Sequence, residues 1–332
     1  MLISVVVLNW NGRDLLADCL RSLSGQIGAD AELIVVDNGS RDGSAAYVRQ
    51  EWPGVRLLAL PTNRGFSGGV NAGLHVARGD YLVLFNNDAV AAPDFLARLT
   101  APLDSDPGLG AVAGVLQFAH RPELVASAGI RVHRDGVALD DRMLLPLEKL
   151  PAAPAPVWGA SGGAVAYRRA ALLDAGSFDE GYFAYLEDVD LGWRLRMRGW
   201  ATLLAPEARA LHVYSATGGE GSPFKDWLVA RNRWRVILRC LPAPLLLRDW
   251  PLILRYDALA CAQAALRRRW TTITGRIAAW RELPALHGQR RAIQRRRAVP
   301  LAELDRWLLP ARGPARVWHE AGALARVLSE RD

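Results

Sequence analysis

Three carboxylates fall within four positions in Glu187-Asp188-Val189-Asp190, and His212 follows 24 residues after Asp188. The run reads as a helix start, where the positive end of the helix dipole favours ionised acids. An ionised carboxylate beside a cleft is what a general base requires. Alone, the triplet reads equally as a solvated helix cap, because charge clusters commonly decorate surfaces. A further acid, Asp37, closes an apolar run and precedes Asn38-Gly39-Ser40. It can accept a bond from a nucleobase imide or a ribose hydroxyl, yet the same four residues make an ordinary turn. Asn86-Asn87-Asp88 closes another apolar run. One carboxylate among amide oxygens suits a hard divalent ion that also borrows diphosphate oxygens, and it equally makes an Asx turn. His212, alone on an apolar stretch, has the setting of a core histidine. Asn63-Arg64-Gly65-Phe66-Ser67-Gly68-Gly69-Val70-Asn71 brings glycines that let backbone approach a ligand, and a helix start that can offer N–H groups to phosphate. It is no Walker loop, lacking Gly-Lys-Ser/Thr, and no dinucleotide fingerprint, since it does not follow the first strand.

Such scattered groups need a scaffold. Apolar runs at 2–9, 33–36, 55–60 and 81–85 read as buried strands. Helical spacing covers 13–24 and 67–77, Asp42 can cap a helix over 43–50, and Pro93 opens another. Strands alternating with helices predict an α/β fold with a mostly parallel, Rossmann-like sheet. Asn9, Asp37, Asn86 and Asp88 then fall at carboxyl ends of strands, where open α/β sheets bind ligands. Residues 134–156 read as a flexible loop or hairpin, and a second structured block begins at 157. After about 223 the pattern is helical, broken by Pro242, Pro244 and Pro251.

The 332 residues are 51% apolar and 23% charged, which describes a folded chain with a large core. Three scattered cysteines fit a reducing compartment and argue against a disulfide scaffold. The first nine residues carry no basic leader or cleavage site and read as strand, and no run is apolar enough to predict a spanning helix. The charge is lopsided. Residues 231–332 hold 21 Arg and 8 acids, a net +13 in a chain of net +7, so residues 1–230 carry −6. Seven of the twelve tryptophans lie at or after Trp227. Arginine and tryptophan on broken amphipathic helices suit the interface of an anionic membrane. A helical subdomain with a solvated charged face is the alternative, and no recognition motif accompanies the arginines to indicate nucleic acid.

Taken in order, Val7-Leu-Asn9-Trp-Asn11-Gly12, Val36-Asp37-Asn38-Gly-Ser40, Asn63-Arg-Gly-Phe66, Phe85-Asn-Asn-Asp88, Gly159-Ala-Ser161-Gly162-Gly163, Glu187-Asp188-Val-Asp190-Leu191 and His212 resemble family 2 glycosyltransferases. These are inverting enzymes of GT-A fold, and the likeness spans about residues 1–235. It looks closest to the bacterial branch with rhamnosyl- and galactofuranosyltransferases of cell-surface glycans. The resemblance implies a catalytic domain over 1–222, with a nucleotide-sugar half to about 118 and an acceptor and base half beyond. A basic Arg/Trp-rich helical extension would follow over 223–332.

It also implies roles. Asn9, Asn11, Asp37, Asn38, Asn63, Arg64, Gly65, Asn71, Asn86 and Asn87 would bind the nucleotide sugar. Asp88, with His212, would hold Mg²⁺ or Mn²⁺ on the diphosphate. Trp158, Gly159, Ser161, Gly162 and Gly163 would shape the acceptor subsite. Asp188 matches the family's general base, with Glu187 and Asp190 as fallbacks. Asn86 stands where the family usually has a second acid, so the diphosphate must complete the metal site. The branch points to a dTDP- or UDP-sugar, rhamnose foremost, moved to a glycan or lipid-linked hydroxyl by a cytoplasmic enzyme on the inner membrane face. A sugar nucleotidyltransferase, or a non-catalytic glycan-binding protein of this fold, are the rival readings.

Overall fold

The computed structural model describes residues 1–213, 222–312 and 314–329. The chain divides into two compact units. One holds Met1–Ile130, Asp140–Leu195 and the strand entered at Trp200. The other takes Arg131–Leu139, Arg196–Gly199 and the helices after residue 222.

In the first unit, strands and helices alternate: β1 (Ile3–Asn9), α1 (Arg13–Ser24), β2 (Ala31–Asp37), α2 (Ser44–Glu51), β3 (Arg56–Ala59), α3 (Gly65–Val76), β4 (Tyr81–Asn86), β5 (Ala89–Ala91) and α4 (Phe95–Ser105). Val5, Val6, Val7, Ile34, Val35, Val36, Val83 and Leu84 are all buried. Strands covered on both faces carry continuous apolar runs of this kind, not alternating ones. They pair in parallel in the order β4-β1-β2-β3. The register sets Asn9 opposite Asp37 and Leu8 opposite Asn86, so the polar strand ends share one edge.

The chain continues through β6 (Leu109–Phe118), β7 (Arg121–Ser127), β8 (Ile130–His133), β9 (Ala138–Asp140), β10 (Ala155–Pro156), β11 (Ala164–Arg168), α5 (Arg169–Ala175), α6 (Glu187–Met197) and β12 (Ala201–His212). Beyond β4 the sheet is mixed. β11 inserts antiparallel between β4 and β6, and β12 runs parallel to β6. The end of β12 turns onto β5, with His212 opposite Ala89. Residues 134–156 include two short strands, β9 and β10, as well as loop.

The glycines of residues 65–73 serve a purpose the sequence did not indicate. They lie inside α3, and a Cβ on Gly69 or Gly73 would come within 2.4 Å of Leu8 or 2.5 Å of Val6. They let the helix lie close on β1, as small residues do where backbones approach.

The second unit contains α7 (Pro223–Cys240), α8 (Ala243–Leu266), α9 (Trp270–Arg281), α10 (Leu283–Arg295), α11 (Leu301–Asp305), β13 (Leu308–Leu309) and α12 (Pro314–Ser329). β13 pairs in parallel with Val132 and His133 of β8. Pro242 and Pro244 start α8, where a missing N–H costs nothing. Pro251 does not break the helix as expected. It sits on the exposed side of α8, so the carbonyl deprived of a donor lies on the outer face. The unit is centred on Trp234, whose ring lies 4.8 Å from Trp280 and 5.9 Å from Trp250. Among the described residues no helix is long and apolar enough to cross a membrane.

Candidate active site

The carboxyl edge of the parallel strands holds a connected set of amides and acids. Asn9 donates from Nδ2 to Asp37 and to the Ser40 hydroxyl, each at 3.4 Å, and accepts from Asn87 at 2.7 Å. Asp37 also accepts from the Ser40 N–H at 3.2 Å. Asn38 accepts from the Arg64 N–H at 2.9 Å and donates to Asn63 and to the Gly65 carbonyl at 3.0 Å. It therefore ties the end of β2 to the start of α3. Asn11 lies at the exposed rim, its side chain accepting from the Arg41 N–H at 2.8 Å. Asn71 holds Ser177 and Phe178, while Arg64 pairs with Glu180 at 2.8 Å.

Two of the N–H groups in the first turn of α3 are engaged. Gly65 donates to Asn63 Oδ1 at 2.8 Å and Ser67 donates to the Phe183 carbonyl at 3.1 Å. Through Ser67 the helix start clasps the loop that leads to α6.

That loop is strained. Phe183, Tyr185 and Leu186 all have φ between 65° and 68°, a region costly for residues with a Cβ. Gly65 gives it room: a Cβ there would lie 2.4 Å from the Phe183 carbonyl oxygen. The loop delivers the acids at the first turn of α6. The three take different environments. Asp190 is fully buried, bound to Arg194 at 2.8 Å and to the Tyr182 hydroxyl at 3.1 Å. It is a structural ion pair, which leaves it poorly placed as the fallback base. Glu187 is buried and its Oε2 has no hydrogen-bond partner. Desolvation, then the charge of Asp188, pushes its carboxyl well above the usual range. Asp188 is half-buried. It accepts from its neighbour's N–H, Val189, at 2.8 Å and from the Gly162 N–H at 3.3 Å. Desolvation and the nearby Asp140 raise it to about 6, against the opposing pull of these N–H groups.

A chain of contacts joins this acid to the sheet edge. Gly162 binds Asp188, and the next residue, Gly163, accepts at its carbonyl from the Asn86 N–H at 3.0 Å. The Asn86 amide lies 3.2 Å from His212 Nε2, which lies 3.1 Å from Asp88 Oδ1. Val213 donates to the Asp88 carbonyl at 3.0 Å, fixing the end of β12 there. His212 is thus brought beside the acid that the sequence singled out, not into the apolar core. One carboxylate, one imidazole and an adjacent amide form an open donor set. Among the described residues it fits a small divalent cation that keeps much of its shell for water and phosphate oxygens. Among the described residues no cluster of three or more His, Cys, Asp or Glu is assembled.

The acceptor-side residues divide. Gly159, Gly162 and Gly163 are buried and Ser161 is half-buried on the segment that meets Asp188 and Asn86. Trp158 is only 3% exposed and packs edge-on against Trp193. It supports α6 from the core side. Glu180, which holds Arg64 and Asn71 together, escaped sequence reasoning, as did Asp140. Neither lies in a recognisable motif. Only the three-dimensional return of residues 140 and 180 to this edge reveals them.

A sheet with a parallel run of strands and a carboxylate carried to its polar edge from a later helix is the architecture of the GT-A fold. The chain belongs to glycosyl transferase family 2, whose profile matches residues 4–173. It is 30% identical over 233 residues to the N-acetylglucosaminyl-diphospho-decaprenol L-rhamnosyltransferase of Mycobacterium tuberculosis, a match covering 63% of this chain and 75% of that one. Two solved structures share the fold. They are the GalNAc-T7 complex with UDP, GalNAc and Mn²⁺ (TM-score 0.59, 19% identity, 72% of this chain and 48% of the other) and the mannosyltransferase PcManGT of Pyrobaculum calidifontis with GDP-Man and Mn²⁺ (0.53, 20%, 85% and 86%). This chain spans about half the length of the first. The protein is therefore a glycosyltransferase.

Proposed function

We propose that the chain moves rhamnose from dTDP-rhamnose to a hydroxyl of a lipid-linked glycan, with inversion at the anomeric carbon. The observation that supports this reading is the Asp188–Gly162–Gly163–Asn86–His212–Asp88 chain of contacts, which joins a carboxylate on α6 to the polar edge of the sheet. The mycobacterial relative, by its name a rhamnosyltransferase acting on a lipid diphosphate sugar, supports the donor and acceptor.

In this mechanism Asp37 accepts from the base, and Asn9, Asn11, Asn38 and Asn87 line the base and ribose. Asn63, Arg64, Gly65, Asn71 and Asn86 border the sugar and phosphates. The acceptor hydroxyl lies over Ser161 to Gly163 and gives its proton to Asp188. Its oxygen bonds to the anomeric carbon as the bond to the phosphate oxygen breaks, and that electron pair leaves with the nucleoside diphosphate. Asp88 and His212 would hold Mg²⁺ or Mn²⁺, which when bound offsets the charge growing on the diphosphate. Residues 1–222 would carry this chemistry, donor side before about 118. Residues 223–332 would meet the anionic inner face of the cell membrane, where a lipid-linked acceptor resides.

A sugar nucleotidyltransferase would want a glycine-rich loop with Lys or Arg after β1, where this chain has Asn9-Trp10-Asn11-Gly12. A non-catalytic binder would have no use for an acid held near neutrality beside the edge. The test is a panel of dTDP-, UDP- and GDP-sugars with Mn²⁺, read by melting temperature and by nucleotide release. dTDP-rhamnose should give the largest upward shift. A larger shift from another donor overturns the sugar assignment, and metal-indifferent binding without nucleotide release overturns catalysis.

A further inference from the structure

A helix bordering water turns polar side chains outward and apolar ones inward. α8 is reversed. Its inner side carries Asp249, bound by Arg248 at 2.6 Å, and Asp257, bound by Arg233 at 2.9 Å and Arg276 at 2.8 Å. Its outer side carries Leu247, Leu254, Leu259 and Leu266, with Leu247 77% and Leu266 86% exposed. Exposed Pro251, Ala258 and Ala262 lie between them. At 100° per residue these positions share one stripe about 140° wide. The charges on it are Arg248, already paired with Asp249 and Asp305, and Arg255. The stripe runs into Arg267 and Arg268, both exposed, and then Trp270, 59% exposed at the head of α9.

The arginines of residues 231–235 are used inside this unit, as are Arg269 and Arg276. Arg231 and Arg235 bind Glu282, Arg233 and Arg276 bind Asp257, and Arg269 binds Asp226. Arg255, Arg267, Arg268 and Arg281 have no ion-pair partner among the described residues. A leucine stripe edged by unpaired cations and an exposed tryptophan complements the headgroup and acyl boundary of an anionic bilayer. The helix is too polar to cross one.

We propose that the outer face of α8, with the Arg267–Trp270 corner, lies in the interface of an anionic lipid bilayer. This deepens the membrane partner proposed above and rests on that reading. It moves the contact from the arginine-rich segments to a leucine face. A second copy of this chain is the competing occupant, but joining two such faces would crowd the unpaired arginines of both copies.

The test is flotation of the full chain with phosphatidylcholine vesicles, with and without phosphatidylglycerol. Binding should be at least about tenfold stronger with the anionic lipid and should weaken with salt. Leu254→Glu with Leu266→Glu, and separately Arg267→Glu with Arg268→Glu, should each lower it about tenfold or more. The arginine pair disturbs no packing, so it keeps the test available if the leucine variant melts early. Equal partition to both vesicles, or undiminished flotation of variants with native melting, overturns the proposal. So does a dimer by light scattering that the leucine variant makes monomeric. Nucleotide release onto a soluble acceptor without vesicles should be unchanged in these variants. Its absence in the wild type would count against the catalytic reading, not against this one.

Discussion

Asp188 carries the chemistry in this account because only it combines partial exposure with an acidity near neutrality. A base must be deprotonated to act, so transfer should fall as pH drops through about 6 and level off above it. Asp188→Asn should lower kcat by about 10²- to 10⁴-fold with little change in nucleotide binding. The raised pKa also has a stability consequence. The folded protein binds the Asp188 proton more tightly than the unfolded chain does. Stability from this group therefore falls as pH rises from about 4 to about 6, and the full cost is present above that. Asp188→Asn should accordingly be the more stable protein at pH 7.5, by on the order of 1 kcal/mol given the group's partial exposure, with the gain gone near pH 4 in thermal melts. Burial and the charge of Asp188 push the Glu187 carboxyl well above its usual range. Glu187→Gln keeps its shape and leaves Asp188 in place, so activity should survive it; loss as deep as that of Asp188→Asn would exchange the two roles.

At the scale of elements, the strained turn before α6 and the start of α3 are one device. The φ values of Phe183, Tyr185 and Leu186 persist because Ser67 binds the Phe183 carbonyl and Gly65 leaves it room. Gly65→Ala should lower stability by about 1–3 kcal/mol and, by displacing the loop, reduce transfer more than nucleotide binding. Asp190→Asn leaves Arg194 buried beside a neutral amide; a loss of about 3–5 kcal/mol in denaturant titration is expected, which would mark it as structural rather than catalytic. The strands at 2–9 and 81–85 and the helix at 13–24 were legible because long apolar runs and 3.6-residue spacing are local signals. So was the convergence of Asn9, Asp37 and Asn86, which follows once three parallel strands end on polar residues. What local signals could not carry was antiparallel β11, which brings Gly163 to Asn86, and the late turn of β12 that seats His212. The packing role of Gly69 and Gly73 was hidden for the same reason: it depends on Leu8 and Val6, some sixty positions away.

Across the whole molecule, distant segments meet at one sheet edge, and in the proposed mechanism the diphosphate completes the cation site. Among the described residues Asp88 is the carboxylate paired with His212, so metal affinity should be weak without nucleotide and stronger with it. Calorimetry should show Mn²⁺ binding improved at least about tenfold by dTDP, because coupling between two ligands is reciprocal. EDTA should abolish transfer, and Mn²⁺ should restore it. The most direct measurement is single-turnover transfer at pH 7.5 by Asp188→Asn, with the donor that gives the largest melting shift and saturating Mn²⁺. The account predicts a variant that is folded, binds the donor as the wild type does, and fails to form product. Product formed at the wild-type rate would contradict it.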